Sequence, residues 1–329
     1  MDYAYHRLAR SAPRYTWYRA LLTGLVGGVI YIGLTVVFLI GLFIASVALP
    51  TVFGDFLTTL TTQKLNLADP LTFLFTIGSV ALLLPAIVLA RLILGPRPLG
   101  LLSSVAGRLR WRWLRSLILP ALAIYAVVFA LSFLVVGPLA DGSTFAPKIT
   151  GTTWLLLAFA ILLTPLQATA EELVFRGYLG QAVGGWLKHP AWAILLPVPL
   201  FAIGHDYDLW GLADVALFAI VAGWLSYRTG GLEAAIVAHV INNTVLFGLG
   251  AFSLVDLNAK GGSPVAIVTT AAILAGYSAL VLRQAKRVGL VTVRHIDDAP
   301  PADAPLDDSP LISDAAAPAA LATAPEPSE

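Results

Sequence analysis

The stretch TWLLLAFAILLTPLQATAEELVFRGYLG, residues 153–180, decides how the chain is read. Its first 17 residues, 153–169, carry no charge, and then Glu171, Glu172 and Arg176 follow within six positions. About 20 apolar residues suffice for a helix to cross a bilayer. Ionisable side chains inside such a helix cost several kcal/mol each, at roughly 3 kcal/mol on insertion scales, so they mark a functional site by default. On a helix, Glu172 and Arg176 stand four apart with the acid first, the favourable order for an ion pair. Glu171 is turned about 100° away and is left without a local partner.

The rest of the chain has the same character. Of 329 residues, 58% are hydrophobic and only 12% are charged, with a mean hydropathy of +0.84, whereas soluble domains are about one quarter charged. Eight apolar segments follow one another, at 20–49, 71–95, 116–137, 153–187, 191–206, 209–227, 231–250 and 263–283. The expected fold is all-α, a polytopic transmembrane bundle of about eight spans. Arg7, Arg10, Arg14 and Arg19 precede the first segment, Arg97, Arg108, Arg110, Arg112 and Arg115 lie between the second and third, and Arg283, Lys286 and Arg287 end the last. The opposite loops hold only Lys64, Lys148 and Lys260. By the positive-inside rule both termini are cytoplasmic, and the Ala-, Gly- and Leu-rich composition suits a bacterial plasma membrane.

The first segment is longer than the roughly 7–15 apolar residues of a secretory signal and reads as a retained anchor. Gly24 and Gly28 within it are spaced for close helix packing, most simply inside the same chain. Residues 1–150 form a set of N-terminal membrane helices that includes a cytoplasmic Arg/Trp loop, VAGRLRWRWLRS at 105–116, suited to the headgroup level. Residues 151–250 hold the polar motifs, and 251–294 the last span and its basic flank. Residues 295–329 have eight acidic residues and no Lys or Arg, leaving all 20 basic residues against 11 acidic ones upstream. That Ala/Pro-rich tail cannot bury enough apolar area to order itself, so disorder is expected. The chain has no cysteine, which excludes disulfides, thiolate metal sites and cysteine nucleophiles. Arginines beside membrane helices need anionic lipid as a partner, not nucleic acid.

Besides Glu171, Glu172 and Arg176, polar groups enter the apolar segments in PLFAIGHDYD, where Phe201 and His205 share a helical face, and in AAIVAHVINNT, where His239 and Asn243 do. Asp214 is a further case, read with Asp206 and Asp208 as an outer-surface or capping group, and Glu233 reads as a first-turn carboxylate favoured by the helix dipole. At 1.5 Å per residue Glu171 lies about 25 Å from the cytoplasmic end of its segment and His205 roughly 22 Å in, so side chains from three helices can meet inside the membrane. A buried carboxylate and a histidine can activate water for attack on a carbonyl. A second histidine and an amide can stabilise the oxyanion. Alternatively Glu171, His205 and His239 hold a divalent metal such as zinc with water in the open position. Both mechanisms stay open on residue types alone.

Taken together, EELVFR, FAIGH and HVINN resemble, in order, the EExxxR, FxxxH and HxxxN signatures of the CPBP (CAAX protease and bacteriocin-processing, or Abi) family of intramembrane endopeptidases, some of them described as metalloproteases. The resemblance covers about residues 150–250. It implies hydrolysis of a peptide bond in a membrane-associated protein or peptide, as in enzymes that trim prenylated CAAX proteins. It also implies that Glu171 and His205 activate the water, that His239 and Asn243 bind the oxyanion, and that Glu172 and Arg176 support them. The competing readings are a non-catalytic scaffold or bacteriocin-immunity protein of the same fold and, third, an ion-coupled transporter. The transporter reading lacks the internal repeat such proteins show.

Overall fold

The computed structural model describes residues 1–49, 62, 65–140, 142 and 145–296. Most of the expected acidic tail, and Lys64, lie outside the described residues. Among these residues there are seven helices long and apolar enough to cross a membrane: α1 (Trp17–Ala48), α2 (Pro70–Leu94), α3 (Trp111–Leu139), α4 (Thr153–Trp186), α6 (Leu209–Thr229), α7 (Glu233–Ala251) and α8 (Pro264–Arg287). An eighth apolar helix, α5 (Pro190–Ile203), is shorter. At 1.5 Å per residue it reaches about 21 Å. Pro190 starts it, where a missing N–H costs nothing, and Pro197 divides it into two pieces. The fold is thus the expected helical bundle, with the fifth segment a broken short helix.

The first and last described segments meet. Strand β1 (Asp2–Ala4) pairs antiparallel with β2 (Val293–His295), with Tyr3 opposite Arg294. His295, expected at the start of a structureless tail, is therefore the last residue of a strand. Both strands stand at one end of the bundle. After β1, a 3₁₀ turn (Tyr5–Ser11) fastens this end. Tyr5 donates to the Leu102 carbonyl at 2.6 Å and Arg10 to the Gly185 carbonyl at 2.8 Å. Gly184 is needed there, because a Cβ would overlap the His6 carbonyl.

Helix α1 leans on α2 and leaves Leu25, Val29, Ile32 and Val37 largely exposed, as a lipid-facing helix does. Gly24 lets the Tyr178 hydroxyl approach closely enough to donate to the Ala20 carbonyl at 2.7 Å, while Gly28 faces open space. The close packing expected of this pair is intramolecular and involves Gly24 alone. The core proper lies between α3, α4, α6, α7 and α8, with Leu117, Ala121, Leu225, Leu232, Ala234 and Val281 buried. Helix α7, which packs against α4, carries the small buried residues Ala234, Ala235 and Ala238.

Two sequence expectations change here. The Arg/Trp stretch is a loop only in part, because Arg108 and Arg110 lie in a loop but Trp111 already begins α3. That loop docks on the α6–α7 turn through Val105 N to Gly230 O at 2.9 Å and Leu232 N to Ser103 O at 2.9 Å, with Gly230 in the left-handed region at φ 69°. Glu233 does open α7, but its main partner is a side chain and not the helix dipole. Arg110 donates to Oε1 through Nε at 2.8 Å and to Oε2 through Nη2 at 2.6 Å, and Glu233 is fully buried. Desolvation would otherwise expel that carboxylate, and the two-pronged guanidinium holds it.

Candidate active site

The site grows from α4, whose apolar run is interrupted by Pro165 and ends in a π-helical turn at Leu173–Leu179, immediately after the two carboxylates. Single π turns inside helices concentrate at functional sites. Glu172, with no exposed surface, accepts from Arg176 Nη1 at 3.0 Å, as the four-residue spacing predicts. The same oxygen accepts from His239 Nδ1 of α7 at 2.7 Å. An ionised carboxylate is acceptor only, so Nδ1 carries a proton. His239 Nε2 then stands 3.4 Å from Glu171 Oε2.

Glu171 is not without a local partner, as helical spacing of charges suggested. Gln167, one turn earlier on the same face, donates to its Oε2 at 2.9 Å. Gln167 in turn accepts from Asn243 Nδ2 at 3.2 Å, Asn243 Oδ1 accepts from Asn242 at 3.0 Å, and Asn242 Oδ1 accepts from the Tyr125 hydroxyl of α3 at 2.9 Å. Every bond in this chain points its donor towards Glu171. Such a directed chain fixes the orientation of each amide, since turning any one over would oppose two donors or two acceptors. Gln167, Asn242 and Tyr125 have no place in the three motifs, and only the spacing of Gln167 from Glu171 signalled any of them.

His205 lies just past the end of α5 and is half-buried. Its Nδ1 donates to the Phe201 carbonyl at 2.9 Å, leaving Nε2 with a lone pair. It makes no direct bond to Glu171, but is close enough to act on it electrostatically, as His239 is. Aromatic rings join the parts: the Phe201 ring lies tilted at 5.0 Å from His205 and edge-on at 6.1 Å from His239, and the Arg176 guanidinium sits 4.3 Å above it. The structure therefore gathers Glu171, Glu172, Arg176 and His239 in one network, joins Asn243 to it through Gln167, and sets His205 at its margin. Asp214 takes no part, facing Thr270 of α8 instead. Asp208 caps α6 and accepts from Gly211 N and Gly262 N, each at 2.8 Å, which holds its carboxyl below the ordinary aspartate range.

Among the described residues no group of three or more His, Cys, Asp or Glu side chains is placed to hold a metal ion.

Residues 150–245, from just before α4 into the later part of α7, match the family described as Type II CAAX prenyl endopeptidase Rce1-like. The matched segment contains every motif residue of the network, so the resemblance read from EELVFR, FAIGH and HVINN holds over the helices that build the site. The chain is also similar to a Bacillus subtilis (strain 168) relative bearing the name "Uncharacterized protein YyaK", at 28% identity over 188 residues. That alignment takes in 55% of this chain and spans 62% of the relative's length. No solved structure matches the chain.

Proposed function

We propose that this protein is an intramembrane endopeptidase that cleaves a peptide bond of a membrane-associated protein or peptide. The reading rests on one observation above all, the buried Glu171–His239–Glu172–Arg176 network inside the segment that matches CAAX-type endopeptidases. A water molecule held between Glu171 and His205 Nε2 attacks the carbonyl carbon. Its proton passes to Glu171, which returns it to the leaving amine. The His239 ring and the second N–H of Asn243 Nδ2 stabilise the oxyanion. Glu172 holds the His239 ring in the orientation this requires. The chain lies in a bacterial plasma membrane with both termini on the cytoplasmic side, which puts Arg7, Arg10, Arg112, Arg115, Lys286 and Arg287 on that side too.

The test is a comparison of peptide termini in membrane proteomes of cells carrying the intact chain, Glu171→Gln or His205→Ala. A set of termini lost in both variants supports the reading. Identical termini in all three strains would overturn it and leave a non-catalytic scaffold. Water activation by the protein's own groups further predicts that prolonged chelation leaves cleavage by the purified protein unchanged, whereas loss of cleavage that added zinc restores would assign a metal to the site.

The amide chain carries its own prediction. Gln167→Leu removes a hydrogen bond to a charged acceptor, a contribution of about 1.5–3 kcal/mol, so turnover is expected to fall about 10–100-fold with the protein still folded. Gln167→Glu, placing a second carboxyl against Glu171, should do worse than leucine. Rates measured side by side on one substrate decide the matter.

A further inference from the structure

At the end of the bundle where β1 and β2 pair, α3 begins and α8 finishes, and between them lies a cavity of about 980 Å³. Arg108, Arg112 and Arg115 line it, and none of the three forms an ion pair among the described residues. The fourth arginine there, Arg110, is neutralised by Glu233, the sole carboxylate it meets, and also donates to the Val291 carbonyl at 2.9 Å. The cavity thus carries three uncompensated positive charges. Helix α3 adds to them, since it starts without a side-chain cap and without an acidic residue in its first turn, leaving N–H groups free for an anion.

A second observation is independent of charge. Trp113 lines the same cavity, is only 6% exposed, and its buried indole N–H has no acceptor. A buried donor without a partner costs about 1–3 kcal/mol, so such groups are rare unless something outside the chain supplies the acceptor. Leu109, Val288 and Leu290 give the wall an apolar part beside the polar Ser116 and Gln284, and Trp111, also in the lining, is 61% exposed, as an aromatic at the edge of a bilayer is. Free phosphate has no use for such walls; a molecule with an anionic head and apolar tails does.

We propose that this cavity is a binding site for one anionic phospholipid, its phosphate held by Arg108, Arg112, Arg115 and the Trp113 indole N–H and its acyl chains running along α3 and α8. The site is separate from the carboxylate network, and the inference does not depend on the endopeptidase reading.

Native mass spectrometry of the full chain in detergent tests it, with dioleoyl phosphatidylglycerol, dioleoyl phosphatidylcholine or inorganic phosphate added. The intact chain should retain one phosphatidylglycerol in clear preference to phosphatidylcholine, and excess phosphate should not displace it. Arg112→Gln/Arg115→Gln, which alters two exposed side chains, should weaken retention about 10–30-fold. Trp113→Phe, which keeps the ring and every charge, should weaken it about tenfold. The control is Arg14→Gln/Arg19→Gln, an equal loss of charge near the start of α1, which should change little. Equal loss in both double variants would show general surface attraction and overturn the site. So would equal retention of both lipids, displacement by phosphate, or full retention by a folded Trp113→Phe protein.

Discussion

Glu171→Gln is expected to lower the rate of peptide cleavage by about 10²–10⁴-fold, the range contributed by a positioned general base. The substitution is nearly isosteric, and an amide oxygen can still accept the Gln167 hydrogen bond that now reaches Oε2 at 2.9 Å. What is lost is the capacity to take a proton from water and hand it on. The variant should therefore insert, purify and melt like the intact chain, and bind substrate with a similar KM, while kcat collapses. Single-turnover assays with a membrane-associated peptide identified from the lost termini would measure this. A Glu171→Gln protein that cleaves at an undiminished rate would remove Glu171 from the chemistry.

Glu172→Ala should have the largest effect on stability. Glu172 has no exposed surface and binds both Arg176 and His239 through one oxygen. Removing it leaves a guanidinium under the Phe201 ring and an imidazole N–H with no acceptor. Breaking a buried pair in this way typically costs about 3–5 kcal/mol, because the surviving charge stays desolvated. Arg176→Met, which leaves the carboxylate its histidine partner, should cost less. Thermal unfolding of the two variants in detergent, followed by tryptophan fluorescence, gives the comparison. If Glu172→Ala melts with the intact chain, the pair is not what holds α4 to α7.

Much of the fold was legible in the sequence, because hydropathy reports directly on what a helix faces. The segments read at 71–95 and 153–187 appear as Pro70–Leu94 and Thr153–Trp186. Boundaries slipped where charge and burial part company. The arginines at 108–115 delayed the expected start of α3 to 116, though Trp111 already belongs to it. At the site, the four-residue spacing exposed the Glu172–Arg176 pair. Gln167 passed unnoticed because a single uncharged amide barely dents an apolar run. Arg110 and Glu233 are 123 residues apart, and β1 and β2 lie at opposite ends of the chain, so no local pattern could join them. Sequence shows that two histidines and two carboxylates exist, but not that Glu172 takes Nδ1 of His239.

The π-helical turn at Leu173–Leu179 lets one helix answer to two sets of neighbours with unrelated bearings. Ahead of it, Gln167, Glu171 and Glu172 look towards α7; at its end Tyr178 reaches α1, and beyond it Gln181 reaches the Leu101 carbonyl at 2.7 Å. A uniform α-helix locks the azimuth of both groups together at 100° per residue. The wider turn inserts a phase offset of about one residue between them, so the anchoring half can be fitted to its own surroundings without rotating the carboxylates away from their histidine.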